Sequence, residues 1–325
     1  MKKFDYSVIA VPVPYDQARR EVTEIPKQFK NARIAFIGIG VLLVVQIIVM
    51  RAYEHLQIIP LLLVPYALVA GYFYWKFRRD IQRIAGIYRF ASANDMHAIA
   101  SSSSDQYPGT LFNDGHTREV VMALRTKDDK EPIEIGNYRF VTGHGRSARN
   151  HDFTYMLIKL DKVLPHIFID SKSNNSFWNR EHASDYAKSQ HLQFEGDFNK
   201  YFKALVPEDY GRDANYIFTP DVLQALLQYG KEYDFELMGD TLIMFKRGQV
   251  NLADPKNLEV MLSKVTMFAT KFRKQTKLYK DDRVVTEAMG TIAPEGKKLR
   301  SAFPWFLVLV LGYFAVSIFI RVFAR

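Results

Sequence analysis

The stretch IIPLLLVPYALVAGYFYW (58–75), running straight into KFRRDIQRIAGIYRFASA (76–93), decides how this chain is read. Residues 58–75 carry no charge, and a helix that crosses a bilayer needs about 20 such residues, with a working range of roughly 17–25. Pro60 stands where the first helical turn has no use for its missing N–H, and Pro65 is of a kind that membrane helices tolerate. After Lys76 the composition turns charged, but Phe77, Ile81, Ile84, Ile87 or Tyr88, and Ala91 recur at helical spacing. The expectation is a span that continues as a juxtamembrane helix over 76–99 and ends near Ala93–Asn94.

Two more apolar runs flank this one in the chain. Residues 34–50 contain Gln46 as the only strongly polar side chain, and residues 303–320 contain no charge. Tyr53, Tyr72, Tyr74, Trp75, Phe303 and Trp305 stand near the run ends, where amphipathic rings favour the headgroup level. Basic residues follow or precede the runs: Lys76, Arg78, Arg79 and Arg83 after the second, Lys297, Lys298 and Arg300 before the third. The loop 51–57 has only Arg51. By the bias of basic residues, the N-terminal segment 1–33 and the middle of the chain are expected on the cytoplasmic side, with the C-terminus outside. The apolar run starts too late after Lys2 and Lys3 for a cleaved signal peptide, so the first run is read as a retained anchor. The implied partners are the lipid bilayer and its anionic headgroups.

The chain has 325 residues, 44 Lys+Arg, 35 Asp+Glu and no cysteine. Disulfides, thiolate metal sites and cysteine nucleophiles are therefore excluded. A net charge of +9 raises nucleic acid as a partner, but the charge is unevenly placed. Residues 100–255 carry 18 basic and 23 acidic side chains, so the part that would read nucleic acid is acidic. The excess sits beside the apolar runs and on the segment after Pro255, with Lys264, Lys271, Arg273, Lys274 and Lys277, which is expected to lie on a lipid surface.

Residues 100–282 read as an α+β domain, with a linker over 283–302. Strands are expected at 119–126, 133–142, 152–161 and 164–170, the last two joined by a tight turn at Asp161-Lys162. Ser101–Ser104 is expected as loop, and residues 14–32 as a short helix near a membrane. Residues 197–205 read as helix. Thr219-Pro220-Asp221 reads as a capped helix start, running to about Tyr229 with Gly230 to close it. Residues 235–238 and 241–245, joined by Gly239-Asp240, read as a hairpin. Asp254-Pro255 opens a further helix whose apolar face holds Leu258, Met261, Leu262, Val265, Phe268, Ala269 and Phe272. The fold class expected is thus a cytoplasmic α+β domain plus three transmembrane helices, an N-terminal helical hairpin and one C-terminal span.

Catalytic patterns are missing. The histidines at 55, 97, 116, 144, 151, 166, 182 and 191 form no HExxH pair, and no metal or cofactor is implied. Gly143-His144-Gly145-Arg146 has the flavour of a phosphate loop without its Gly-Lys-Ser/Thr ending, so Arg146 and Arg149 are a candidate anion site only. Ser171-Lys172 is an adjacent pair on a strand end, a spacing that points the two side chains apart. No residue is nominated as catalytic. The expected function is a non-catalytic scaffold, sensor or regulatory binding module with a protein partner. The alternative is a membrane-bound enzyme acting on a membrane-proximal phosphate or lipid substrate.

The stretch HLQFEGDFNKYF (191–202), followed by DANYIFTPDVL (213–223) and YDFE (233–236), resembles an uncharacterised family of bacterial membrane-anchored proteins. In that family a Glu-x-x-Phe-x-x-x-Phe core precedes a Thr-Pro helix and a final hairpin. Glu195, Phe198, Phe202, Thr219 and Pro220 match it, over residues 135–250. The resemblance implies a multi-pass protein of the bacterial cell membrane, and no activity or site residue. Phe198 and Phe202 at i, i+4 are expected to share one helix face, with Asp197 as its cap.

Overall fold

The computed structural model describes residues 4–22, 59–128, 132–174, 188–284 and 291–299, with isolated positions between 38 and 48. The chain divides into two compact units. Unit 1 comprises Met1–Asp161 and Thr241–Lys274, and unit 2 comprises Lys162–Asp240 and Gln275–Arg325.

Unit 1 opens with two short helices, α1 (Ser7–Ala10) and α2 (Tyr15–Glu21), strapped along a long one, α3 (Ile59–Ala93). The strap is polar at three points. Asn94 accepts the Asp5 N–H at 2.7 Å, Gln82 donates to the Val13 carbonyl at 2.6 Å, and Arg89 binds both oxygens of Glu21 at 2.7 and 2.8 Å. A bidentate Arg–carboxylate pair fixes orientation as well as contact. α3 ends at Ala93, as the spacing indicated. It is followed by β1 (Met96–Ser103), the short α4 (Thr110–Asn113), β2 (His116–Thr126), β3 (Ile133–Thr142) and the long β4 (Arg149–Ser171). Strand order in this unit is β1-β2-β3-β4, and every pairing along it is antiparallel. The serine run 101–104, expected as loop, is largely the end of an edge strand, with Ser102 and Ser103 paired to Val120 and Glu119.

A 22-residue helix, α8 in chain order (Pro255–Thr276), buries the face foreseen in its sequence. Leu258, Met261, Leu262, Val265, Phe268, Ala269 and Phe272 are all at most 2% exposed. Each large side chain so buried contributes about 1.5–3 kcal/mol. Of its basic residues, Arg273 is turned inward, donating to the carbonyls of Lys159 at 3.1 Å and Pro132 at 3.4 Å.

Unit 2 holds the far end of β4, then β5 (His191–Leu192), α5 (Phe198–Tyr201), β6 (Phe202–Leu205), α6 (Gly211–Ile217), α7 (Pro220–Ala225) and the start of β7 (Asp234–Arg247). Here the order is β4-β6-β5, again antiparallel, and β7 pairs with β4. The helix expected over 197–205 is one turn long. From Phe202 the chain alternates buried and exposed and joins the sheet instead. Phe198 and Phe202 still stack, with ring centroids 4.8 Å apart. Neither expected cap bonds as such: Asp197 pairs with Lys200 at 2.7 Å, and the Thr219 hydroxyl turns to Asp221 at 2.5 Å.

Two expected turns are strand. β4 runs through Asp161-Lys162 without interruption, and β7 runs through Gly239-Asp240. A two-residue hairpin turn of type I′ requires positive φ at both central residues. Gly239 has it (φ 62°), but Asp240 does not, and neither does Asp161 or Lys162.

The expected fold class is corrected. Among the described residues no helix is long and apolar enough to cross a membrane. α3 is apolar only in its first half. From Lys76 it is charged, and from Ile81 to Ala91 it is mostly buried within unit 1. Residues 59–75 of that run are thus one end of a helix anchored in the unit. The runs 34–50 and 303–320 lie outside the continuously described residues. An α+β domain with three transmembrane helices, and with it a multi-pass transmembrane protein of the cell membrane, gives way to an antiparallel sheet with helices packed on it.

Candidate functional site

One row of side chains crosses unit 1 from strand to strand. The register sets His97 opposite Arg125, Arg125 opposite Glu134, and Glu134 opposite Leu157. All four line a cleft of about 510 Å³, together with Tyr107 and Lys159. Glu134 is 1% exposed and fully partnered. Its Oε1 accepts the hydroxyls of Tyr107, at 2.8 Å, and Tyr155, and its Oε2 accepts Arg125 Nε. A buried carboxylate is tolerated only with such pairing.

Gly136 makes this arrangement fit. It lies two residues along β3 from Glu134, hence on the same face. A Cβ there would stand 2.7 Å from the Tyr155 ring and hydroxyl and 2.7 Å from Ala123 Cβ. The missing side chain is the seat of Tyr155, whose hydroxyl thereby reaches the carboxylate. Burial, then the Glu134 charge, pushes the Tyr107 and Tyr155 hydroxyls far above their ordinary pKa. Both stay protonated as donors. Burial pulls the Arg125 guanidinium down, but Glu134 outweighs it and the net shift is upward.

A second cleft, of about 580 Å³, lies between α3 and the sheet. One face of α3 supplies Phe73, Lys76, Phe77, Asp80, Arg83 and Ile84, an i, i+3/i+4 stripe. Val121 and Met122 supply the floor, where β2 carries an extra residue between Val120 and Met122. Such a bulge re-aims side chains. The opposite wall is the loop 249–253, pinned by Asn137: its Nδ2 donates to the Val250 carbonyl at 2.8 Å and its Oδ1 accepts the Val250 N–H at 3.1 Å. Burial raises the Asp80 pKa, against the lowering influence of Arg83 and Lys76.

The residues singled out from sequence fall in several places. Arg146 lies in the turn Gly145–Ser147 and Arg149 begins β4. Both are exposed, and among the described residues neither side chain has a hydrogen bond or ion pair. In the same loop His144 stacks on His116 with centroids 4.6 Å apart. Of the basic residues read as membrane-flanking, Lys76 and Arg83 line the α3 cleft. Arg78 lies over the rings of Tyr15 (4.6 Å) and Tyr74 (5.7 Å), and Arg79 over Trp75 (5.1 Å). Lys297 and Lys298 are exposed beside a short turn, and Arg300 lies outside the described residues. Ser171 is buried and bonds the Lys231 carbonyl, while Lys172 donates to the Asn199 carbonyl at 2.5 Å, so the adjacent pair does not converge. Among the described residues no group of three or more histidine or acidic side chains is placed to hold a metal. The sequence reading missed Glu134, Arg125 and Asn137. The opposite charges at the facing ends of two expected strands were the available signal for the first two.

Compared with models of known protein families and with curated proteins, the chain matches none. Among solved structures it is similar to the crystal structure of the mycobacterial trehalose monomycolate transport factor A, TtfA, at 7% identity and a TM-score of 0.39. That match covers 56% of this chain and 90% of the other, a likeness too distant to inform fold or function.

Proposed function

We propose that this protein is a non-catalytic binding module that holds an anionic amphiphile, an apolar chain with an acidic head, in the cleft between α3 and the β2–β3 sheet. The observation that carries this reading is the polarity of that cleft. Phe73, Phe77, Ile84, Val121 and Met122 offer apolar wall, and Lys76 and Arg83 stand among them with one carboxylate, Asp80, between. Apolar pockets with a few placed polar groups are the usual form of small-molecule sites. Lys76 and Arg83 outnumber Asp80 there, so the cleft lining carries a net positive charge for an acidic head.

The proposed partner surface is anionic lipid. The exposed end of α3 presents Leu68 (69% exposed), Tyr72 (57%) and Trp75 (54%), with Arg78 and Arg79 directly after them. Amphipathic rings next to basic side chains suit the interface between headgroup and acyl chain. Phe73, on the adjoining face of the same helix, begins the stripe that lines the cleft.

The test is displacement of a fluorescent fatty acid from the purified full-length chain. Oleate is expected to compete and oleyl alcohol to compete at least tenfold more weakly, with Arg83→Gln narrowing that gap. Equal competition by the alcohol would remove the acidic head from the reading. No binding of the fluorescent acid would sink the reading itself.

A further inference from the structure

Arg125 is held in a way that a structural ion pair does not need. Its guanidinium has five N–H donors. Arginine and a carboxylate usually meet fork to fork, with two parallel bonds. Here Glu134 gives only Oε2 to Arg125 Nε, because Oε1 is taken by the hydroxyls of Tyr107 and Tyr155. The remaining described bond of Arg125 is from Nη2 to the Tyr107 hydroxyl at 3.3 Å, with the Tyr107 ring centroid 5.7 Å away. Both hydrogens of Nη1 are thus without a partner among the described residues. The side chain is 38% exposed on the wall of the cleft of about 510 Å³.

We propose that Arg125, fixed by the buried Glu134 and by Tyr107, is a preorganised receptor for the oxyanion of a small organic acid, a carboxylate or a phosphate monoester, bound in that cleft. This site is separate from the α3 cleft, with no lining residue in common. The rest of the lining suits such a ligand. Lys159 adds a second cation, while Glu134 offsets Arg125, so the cleft is cationic by one charge. Pro108, Ile133 and Leu157 give an apolar wall for the body of the acid. Anchoring Nε to a buried carboxylate removes the rotamer freedom that a free arginine would lose on binding. The unused donors then point at one place before any ligand arrives. The supporting shell also explains why β3 needs glycine at 136: without it Tyr155 would not reach Oε1, which would then be held by Tyr107 alone.

Titration calorimetry on the full-length chain tests this with phenyl phosphate and benzoate as probes and benzyl alcohol as the neutral control. Saturable one-to-one binding of either acid is expected, and none of the alcohol. Which acid binds tells phosphate from carboxylate. Arg125→Gln is expected to weaken binding at least tenfold. Because that change leaves a buried carboxylate unpaired, His97→Trp serves as the second variant: it fills the mouth of the cleft from an exposed position on β1 without touching Glu134. It is expected to weaken binding by a similar factor, while Lys76→Gln in the α3 cleft leaves it unchanged. Failure of both acids to bind at millimolar concentration overturns the proposal. So does binding that His97→Trp leaves intact, or that Lys76→Gln abolishes.

Discussion

The carboxamide of Asn137 pairs with the backbone of Val250 as a neighbouring strand would, donating to its carbonyl at 2.8 Å and accepting its N–H at 3.1 Å. Thr154 completes the junction: its hydroxyl donates to the Gly248 carbonyl at 2.8 Å, and it also accepts the Val250 N–H at 2.9 Å. A loop with no strand partner of its own is thereby held as one wall of the α3 cleft.

Replacing Asn137 by alanine removes both bonds, leaving the Val250 carbonyl without this donor and its N–H to Thr154. A loss of about 2 kcal/mol is expected, from net hydrogen-bond contributions of about 1 kcal/mol each and the desolvation left behind. Hydrogen exchange at the Val250 amide should accelerate far more than exchange in β3. Unchanged exchange at Val250 would show that Thr154 holds the loop without Asn137.

Asp80 offers a pH test with a definite sign. Its pKa is raised by burial, so the fold disfavours its ionised form. That cost is fully present above the raised folded value and disappears below the unfolded value of about 3.9. The Arg83 partner, at 3.4 Å and 43% exposed, returns little. Asp80→Asn should therefore raise the melting temperature at pH 7 to 8, with the gain fading as pH falls towards 4. A lower melting temperature at pH 7 would mean that the ion pair dominates.

Asp281 has the opposite sign. Burial pushes its pKa up, but hydrogen bonds from Tyr210, from the backbone N–H groups of Ala293 and Arg283, and from the Arg283 side chain outweigh that and hold it below the ordinary value. Its contribution is present above the unfolded pKa of about 3.9 and is lost as pH falls through the lowered folded value. Asp281→Ala should cost about 3 kcal/mol or more at pH 7, since it leaves a buried set of donors unpaired and Arg283 with Asp213 as its one carboxylate partner among the described residues. The gap between variant and wild type, followed by denaturant melts, should close only below pH 4.

At Gly136 the prediction concerns space. Gly136→Ala places a methyl group 2.7 Å from Tyr155 and from Ala123. Overpacking of this kind costs about 1–3 kcal/mol. A variant as stable as wild type would show that the sheet opens there without strain.

The sequence was most legible where one periodicity dominates. α8 declared itself by seven apolar residues on one face after Asp254-Pro255, and all seven are buried. α3 was legible from Phe77 to Ala93 for the same reason. The same apolar count over 58–75 misled, because uncharged length alone does not distinguish a span from the end of a helix anchored elsewhere. At Asp161-Lys162 and Gly239-Asp240 local polarity suggested turns, but a turn is decided by backbone torsions. Both segments lie within continuous strands, and β7 pairs with β4.

By itself the sequence determined the composition limits, the helix faces, most strands of unit 1 and the absence of cysteine chemistry. These depend on what each residue is and on its near neighbours. Only the tertiary structure decided the sites. Arg125 meets Glu134 through a strand register, and Tyr155 meets Glu134 because Gly136 leaves room. Asn137 meets Val250 across 113 residues of chain. Contacts at such separation are set by packing and by the pairing needs of buried polar groups, and neither leaves a periodic trace in the chain.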